Sequence, residues 1–566
     1  MPTLTLLTVT PALPALGVLD WTVVFVYFLG VAGIAWWSGR KQDTSEDYFL
    51  AGRNVGWFVI GASLFASNIG SEHLVGLAGE GSDSGVAMAH YELHAWCLLV
   101  LGWVLLPFFV RSRVFTLPEF LEKRFSPASR WVVSLVSLIA YVFTKVSVTV
   151  FAGGTVVATL FPELTLFGLS PFWTGALSVV VLTGVYTIVG GLRAVVYTEA
   201  AQAIVLIGGS LTLTVIGLAR LGGWGELTDT LDPEMFNLWK PADDPDFPWP
   251  GMLFAAPIVG LWYWCTDQYI VQRTLAGRTL TESRRGTIFG AYLKLTPVFI
   301  FIVPGMIGAA LQQKGLLHFQ SKDAVFPSMV GALLPPGVRG LVVAGLLAAL
   351  MSSLASVFNS CSTLFTVDVY EKLRPGRPER ELVRVGRIAT SVVVLAGIAW
   401  IPVMENVSDG LYKYLQSVQA YLAPPLTAIF FLGVFIRRIN ATGALASLIT
   451  GFSLGLGKLA CQVYAGGLDD ATRDAATWRT APAVMFGEIN FLMFAVYLFL
   501  ASAAVMVLVS LLTAPPPDDK TRGLTVGGGK AEGEPRTWTK WDVIHTGIVL
   551  CIIVTVYLYF SGLFFG

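Results

Sequence analysis

Apolar residues run along this chain in blocks of about 20, the length that carries a helix across ~30 Å of hydrocarbon. Short polar or Gly/Pro-rich turns separate the blocks. In lipid every backbone N–H and C=O must be satisfied internally, so such blocks are helices. Read against the turns, they predict about fourteen, near 20–38, 56–77, 84–110, 129–160, 171–190, 194–218, 250–271, 286–313, 338–369, 383–404, 408–437, 441–464, 486–513 and 541–565. The expected fold class is an all-α polytopic membrane protein.

Several blocks are interrupted by polar residues at mid-depth. Ala66-Ser67-Asn68-Ile69-Gly70-Ser71-Glu72-His73 sits in the middle of the 56–77 block. Irregular backbone at that depth is tolerated only where it lines a cavity or is buried in protein, and it frees carbonyls for a cation. Gly260-Leu-Trp-Tyr-Trp-Cys-Thr-Asp-Gln268 is the second interruption, following Pro248, Pro250 and Pro257. Its Tyr263 and Trp264 lie deep in the apolar run and offer flat faces to the C–H faces of a sugar. Each interrupted segment is followed by four more spans, which predicts a five-plus-five inverted repeat with a binding site between the two breaks.

The expected organisation is therefore seven parts. Residues 1–55 hold an extra N-terminal transmembrane helix and a cytoplasmic loop, 56–218 the first repeat, 219–249 an extracellular loop, and 250–437 the second repeat. Two peripheral helices (438–513), a Gly/Pro-rich cytoplasmic linker (514–540) and a C-terminal transmembrane helix (541–566) complete the chain. Residues 1–20 lack the basic start of a signal peptide, so the first helix is expected to stay.

Composition agrees. Of 566 residues 55% are hydrophobic and 13% charged, half the charge of a soluble domain, and mean hydropathy is +0.68. Lys plus Arg equals Asp plus Glu at 37 each, which leaves no net field for nucleic acid. The placement of charge is more informative. With both termini outside, most basic residues, among them Arg40, Lys41, Arg111, Arg113, Arg437 and Arg438, fall on the cytoplasmic side, the bias that sets membrane orientation. The five cysteines show no metal-ligand spacing and no catalytic signature stands out, so an enzyme is not expected.

Two further features bear on chemistry. Ser352, Ser356, Asn359 or Ser360, and Thr363 recur at i+3/i+4 on one face of the 338–369 helix. They are either hydroxyl glue between helices or, at the adjacent Ser352-Ser353, part of a hard-oxygen shell for a small cation. Glu92, Lys145, Glu199 and Lys294 are ionisable groups inside predicted spans, each a functional-site candidate. Glu92 and Lys294 form either a structural ion pair or part of a pocket for a solute rich in hydroxyls.

These segments resemble the sodium/solute symporter family, and within it the sodium/glucose cotransporter branch. The resemblance rests on SNIGSEHLVGLAGEGSDSG at 67–85, FTLPEFLEKRF at 115–125, YTIVGGLRAVVYTE at 186–199, WYWCTDQYIVQRTLAG at 262–277, YLKLTPVFIFIVPGM at 292–306, MSSLASVFNSCSTLFTVDVY at 351–370 and YLQSVQAYLAPPL at 414–426. It implies a leucine-transporter-like fold and a secondary active symporter in the plasma or inner membrane, a monomeric unit that couples sodium entry to uptake of a neutral hexose such as glucose or galactose. Another polyol such as myo-inositol, or a sugar-gated sensor or channel, is the alternative.

Matched residue by residue, the resemblance implies sugar contacts at Asn68, His73, Glu92, Tyr263, Trp264, Lys294 and Gln416. It places gates at Leu74, Tyr91, Tyr263 and Tyr412. The sodium ligands would be the carbonyls of Ala66, Ile69 and Ala349 and the hydroxyls of Ser352 and Ser353. Family members that move two sodium ions have a further hydroxyl where this chain has Ala355, which implies one sodium per sugar. At Gly260 they carry a polar side chain that touches the sugar, and here there is none. Glu199 is expected to reach the sodium site indirectly.

Overall fold

The computed structural model describes residues 16–39, 44–70, 72–404, 411–466, 468, 481–526 and 537–562. These residues are helical with no strand among them. Eleven of the described helices are long and apolar enough to cross a membrane. Large apolar side chains cover their outer faces, among them Phe25, Leu29, Trp36, Leu456 and Leu508. An outward-facing apolar surface on this scale is that of a protein solvated by lipid, so the chain is a multi-pass membrane protein.

Three of the expected crossings are missing from those eleven, each for a local reason. Pro171–Leu221 is one helical run bent at Gly191 (φ 56°), and its first leg, Pro171–Val185, is short. Trp249–Cys265 has 17 residues and ends at the second break. Trp57–Asn68 has 12 and ends at the first. Beyond that break, Glu72–Ser112 is helical throughout except where it turns at Gly85 and slackens at His94. Gly85 has φ +65°, and a Cβ there would lie 2.0 Å from the Met235 carbonyl oxygen. Only glycine fits both demands.

The turn folds 57–84 and 85–112 into antiparallel legs against one helical run, Leu280–Gln313. Gly61 packs on Gly286 and Gly305 on the Ala78 carbonyl, while Gly102 packs on Thr287. Small residues let these backbones approach closely, as membrane helices require. The helix caps are the ones the sequence supplies: Thr116 accepts from the Glu119 N–H at 3.2 Å and Thr279 from the Glu282 N–H at 3.1 Å.

The long helical run Val338–Leu373 lies at the centre, with nearly all residues from Ser352 to Thr363 buried. Helices Ala441–Gly466 and Phe491–Leu512 pack on Leu411–Phe435 at the periphery. The N-terminal helix Val18–Ser38 is clasped by Asp20, which accepts from the Gly337 N–H at 2.7 Å and pairs with Arg339 at 2.7 Å. The last helix, Lys540–Tyr559, docks through Asp542 on Arg285 at 3.0 Å.

Candidate functional site

The first break puts carbonyls where two hydroxyls meet them. Asn68 ends its helix, Ile69 is extended (φ −79°, ψ 98°), and the chain resumes as a wide π turn over Glu72–Leu77. Across from it, Ser352 Oγ lies 3.3 Å from the Ala66 carbonyl and 2.9 Å from that of Ala349. Ser353 Oγ lies 3.4 Å from the Ile69 carbonyl and 3.3 Å from that of Ser67. All five expected sodium ligands thus converge in one buried cluster. The donor set is entirely oxygen and carries no charge, which suits a small hard monovalent cation; divalent ions draw on carboxylates. Gly70 makes the approach possible, since a Cβ there would stand 2.5 Å from Ser353 Oγ.

Around the cluster the hydroxyl seam divides into two roles. Ser356 bonds to Glu199, Ser360 reaches Gln272 at 3.3 Å, and Gln272 donates to Thr363 at 2.9 Å. That lower part is glue between helices, while Ser352 and Ser353 face the broken backbone. Glu199 is ion-paired with Arg273 at 3.0 Å and accepts from Ser67 Oγ at 3.3 Å, so it touches the cluster through Ser67. The second break is tied to the first by Tyr269, whose hydroxyl donates to the Ser67 carbonyl. Asp267 caps the resumed helix Gln268–Leu275 and accepts from the Tyr141 hydroxyl.

A small cavity of about 40 Å³ lies between the two breaks. Of the expected sugar contacts, Asn68, His73, Glu92, Tyr263, Trp264, Lys294 and Gln416 all wall it. Asn68 Nδ2 is 3.1 Å from His73 Nε2, which is 3.3 Å from Glu92 Oε1. Lys294 Nζ donates to Glu92 Oε2 at 2.5 Å and stands 5.3 Å over the Trp264 ring. Glu92 and Lys294 are therefore both an ion pair and pocket wall. Burial of such a pair is tolerated because each charge has a partner. The volume holds about two or three waters, so a larger solute requires the walls to part.

The expected gates separate. Tyr91 and Tyr263 wall the cavity, and Leu74 is buried in the core without lining it. The Tyr412 side chain lies outside the described residues. The structure adds Glu72, Lys145, His94 and Gln419 to the wall. Lys145 pairs with Glu72 at 3.1 Å and stands 4.6 Å over the Tyr263 ring. Signals for these were in the chain: Lys145 is a charge within a span, and Gln419 follows Gln416 by one helical step. Glu72 and His94 also lie inside predicted blocks, Glu72 within the polar interruption itself, but are not among the expected site residues.

The model of the sodium:solute symporter family matches residues 48–451. The chain belongs to this family. As a sodium:solute symporter it is a transporter, with sodium as the coupling ion, and not an enzyme. Sodium/glucose cotransporter 1 of Oryctolagus cuniculus is 37% identical over 539 residues, covering 88% of this chain and 80% of that relative. Sodium/glucose cotransporter 4 of Homo sapiens is 38% identical, covering 89% and 78%. Sodium/myo-inositol cotransporter 2 of Sus scrofa is also 38% identical, again covering 89% and 78%. Among solved structures, the substrate-bound outward-open state of a Na+-coupled sialic acid symporter matches with a TM-score of 0.73 at 22% identity, covering 88% of this symporter and 99% of that chain. The expected all-helical, leucine-transporter-like fold is the one found.

Proposed function

We propose that this symporter couples inward flow of one sodium ion to uptake of one neutral hexose, such as glucose or galactose, by alternating access. The observation that carries this reading is the juxtaposition of an uncharged five-oxygen cluster with a cavity whose amides, imidazole, carboxylate and ammonium stand beside two aromatic faces. Such an array offers donors and acceptors to many hydroxyls at once, and aromatic rings to the apolar face of a pyranose. Similarity to sodium/glucose cotransporters supports the same class. Ala355 adds no hydroxyl beside Ser352, which favours a single ion.

In this mechanism sodium ties the Ala66–Ile69 backbone to Ser352 and Ser353 and so fixes Asn68 and His73 for the solute. Tyr91 and Tyr263 then open and close the two sides of the cavity. One charge falling through 100 mV supplies ~2.3 kcal/mol, and a tenfold sodium gradient ~1.4 kcal/mol. Together they sustain roughly 500-fold accumulation of a neutral solute, so one ion is sufficient.

The reading includes fourteen crossings: the two broken helices each span once, Gly85 and Gly191 are turns, and residues 56–218 and 250–437 are inverted repeats. Both termini lie outside a plasma or inner membrane, and the monomer is the working unit. A second solute, myo-inositol, is favoured by one observation: a sodium/myo-inositol cotransporter is among the similar proteins. Competition for sodium-dependent uptake by glucose, galactose and myo-inositol in proteoliposomes decides between them. Glucose or galactose competing best supports the proposal; no sodium-dependent sugar uptake removes it.

A further inference from the structure

His94 is 2% exposed and lines the cavity, and among the described residues its Nδ1 has no hydrogen-bond partner. A buried polar atom left unpaired costs ~1–3 kcal/mol, and such atoms call for a physical reason. His94 stands at a joint between Ala89–Leu93 and Ala95–Val100, with φ −71° and ψ 17°, where the helix slackens and the side chain is re-aimed. Tyr91 and Trp96 hold its ring edge-on, at centroid distances of 6.0 and 6.1 Å.

What His94 faces is Gly260. A Cβ at 260 would lie 3.0 Å from His94 Nδ1 and 3.3 Å from Cys97 Sγ. The imidazole thus fills the space a side chain at 260 would use, on the same helical face as Tyr263 and Trp264, three and four residues on. We infer that His94 is a specificity-determining contact, its Nδ1 hydrogen-bonding a solute hydroxyl at the Gly260 wall. A hydroxyl both donates and accepts, so either imidazole tautomer makes the bond. The inference rests on the solute being polyhydroxylated, as proposed above.

The test compares KM for the transported hexose and its full set of monodeoxy analogues in proteoliposomes. In the wild type several analogues are expected to show a raised KM, and the one lacking the hydroxyl that His94 contacts by about tenfold over the parent sugar. His94→Leu is expected to raise the parent KM by about the same factor, leave that analogue's KM unchanged, and so erase the discrimination. His94→Gln, which keeps a donor and an acceptor, is expected to retain part of it. Gly260→Ser should impair uptake through collision with the ring, and His94→Ala in the same chain should relieve the collision and return uptake only to the level of a chain lacking the His94 contact. A deoxy profile in His94→Leu and His94→Gln identical to wild type overturns the inference, whatever the overall rate. A wild type that takes up no hexose overturns the proposed function and this contact with it. If myo-inositol is the solute, its deoxy forms make the same comparison.

Discussion

Replacing Ser353 with Ala removes one oxygen of five from the buried cluster and little else. Ser353 Oγ faces the Ile69 carbonyl at 3.4 Å and the Ser67 carbonyl at 3.3 Å, and the residue is 3% exposed. A polar contact to a charged group contributes ~1.5–3 kcal/mol net, which is roughly a 10- to 150-fold rise in the sodium concentration for half-maximal uptake. Leu354→Ala is the control, since Leu354 is fully buried in the next position of the same helix. It should cost ~2–5 kcal/mol of stability through the cavity it leaves and leave the sodium dependence alone. The assay is labelled-solute uptake against sodium concentration in proteoliposomes, with thermal unfolding in detergent beside it. A ligand at 100 times its Kd stabilises the folded state by ~2.7 kcal/mol. NaCl should therefore raise the melting temperature of Leu354→Ala, and choline chloride should not. Ser353→Ala should lose most of that rise. Equal sodium half-saturation in the two variants would refute the reasoning and make Ser353 packing glue.

Gly70→Ala should abolish sodium-dependent uptake and sodium-dependent stabilisation together, because the new Cβ would lie 2.5 Å from Ser353 Oγ and 2.7 Å from Glu72 Oε2; a variant with normal sodium affinity contradicts this. Glu92→Gln leaves the Lys294 ammonium buried without its carboxylate, at a cost of ~3–5 kcal/mol. Adding Lys294→Met should return most of the melting temperature and none of the uptake, whereas recovery of both would show the pair to be structural only. Outside the spans, Glu122 sits on the Leu117–Arg124 helix: burial opposes its ionisation, but Lys372 and Arg130, at 2.9 and 2.6 Å, outweigh that and hold its carboxyl below the ordinary range. Its contribution is then fully present above the unfolded carboxyl pKa of ~4.3 and is lost as pH falls through the lowered value. Glu122→Gln should accordingly lower stability at pH 6–8 by under ~1 kcal/mol, and the difference from wild type should vanish as pH falls below the lowered value; a variant as stable as wild type at pH 7 contradicts this.

Much of the fold was legible because the bilayer allows few solutions. Apolar blocks gave nearly every helix, and polar residues at mid-depth marked both breaks. The bend at Gly191 falls in the break read between 171–190 and 194–218, whereas the turn at Gly85 lies just inside the block read as 84–110 and is set by the close approach of the Met235 carbonyl. The site residues came mostly through family motifs, and the geometry then brought Ala66, Ile69, Ala349, Ser352 and Ser353 together as the motifs implied. Contacts set by tertiary packing were hidden. Arg273 sits among loop-like basic residues in the sequence, yet it is 1% exposed and paired with Glu199. His94 lies inside the 84–110 block with nothing in the sequence to link it to Gly260, and only the packing sets its ring against that glycine. Lys145 was visible as a charge, but its partner Glu72 and its place over the Tyr263 ring follow only from how the helices cross.

The most direct measurement is the charge carried per sugar during uptake by proteoliposomes under an inward sodium gradient. Sodium-coupled transport through this site predicts labelled glucose or galactose accumulating above equilibrium only when sodium is outside, with one positive charge entering per sugar. Accumulation that persists with potassium or choline in place of sodium, or a sugar-evoked sodium current without accumulated sugar, would contradict it.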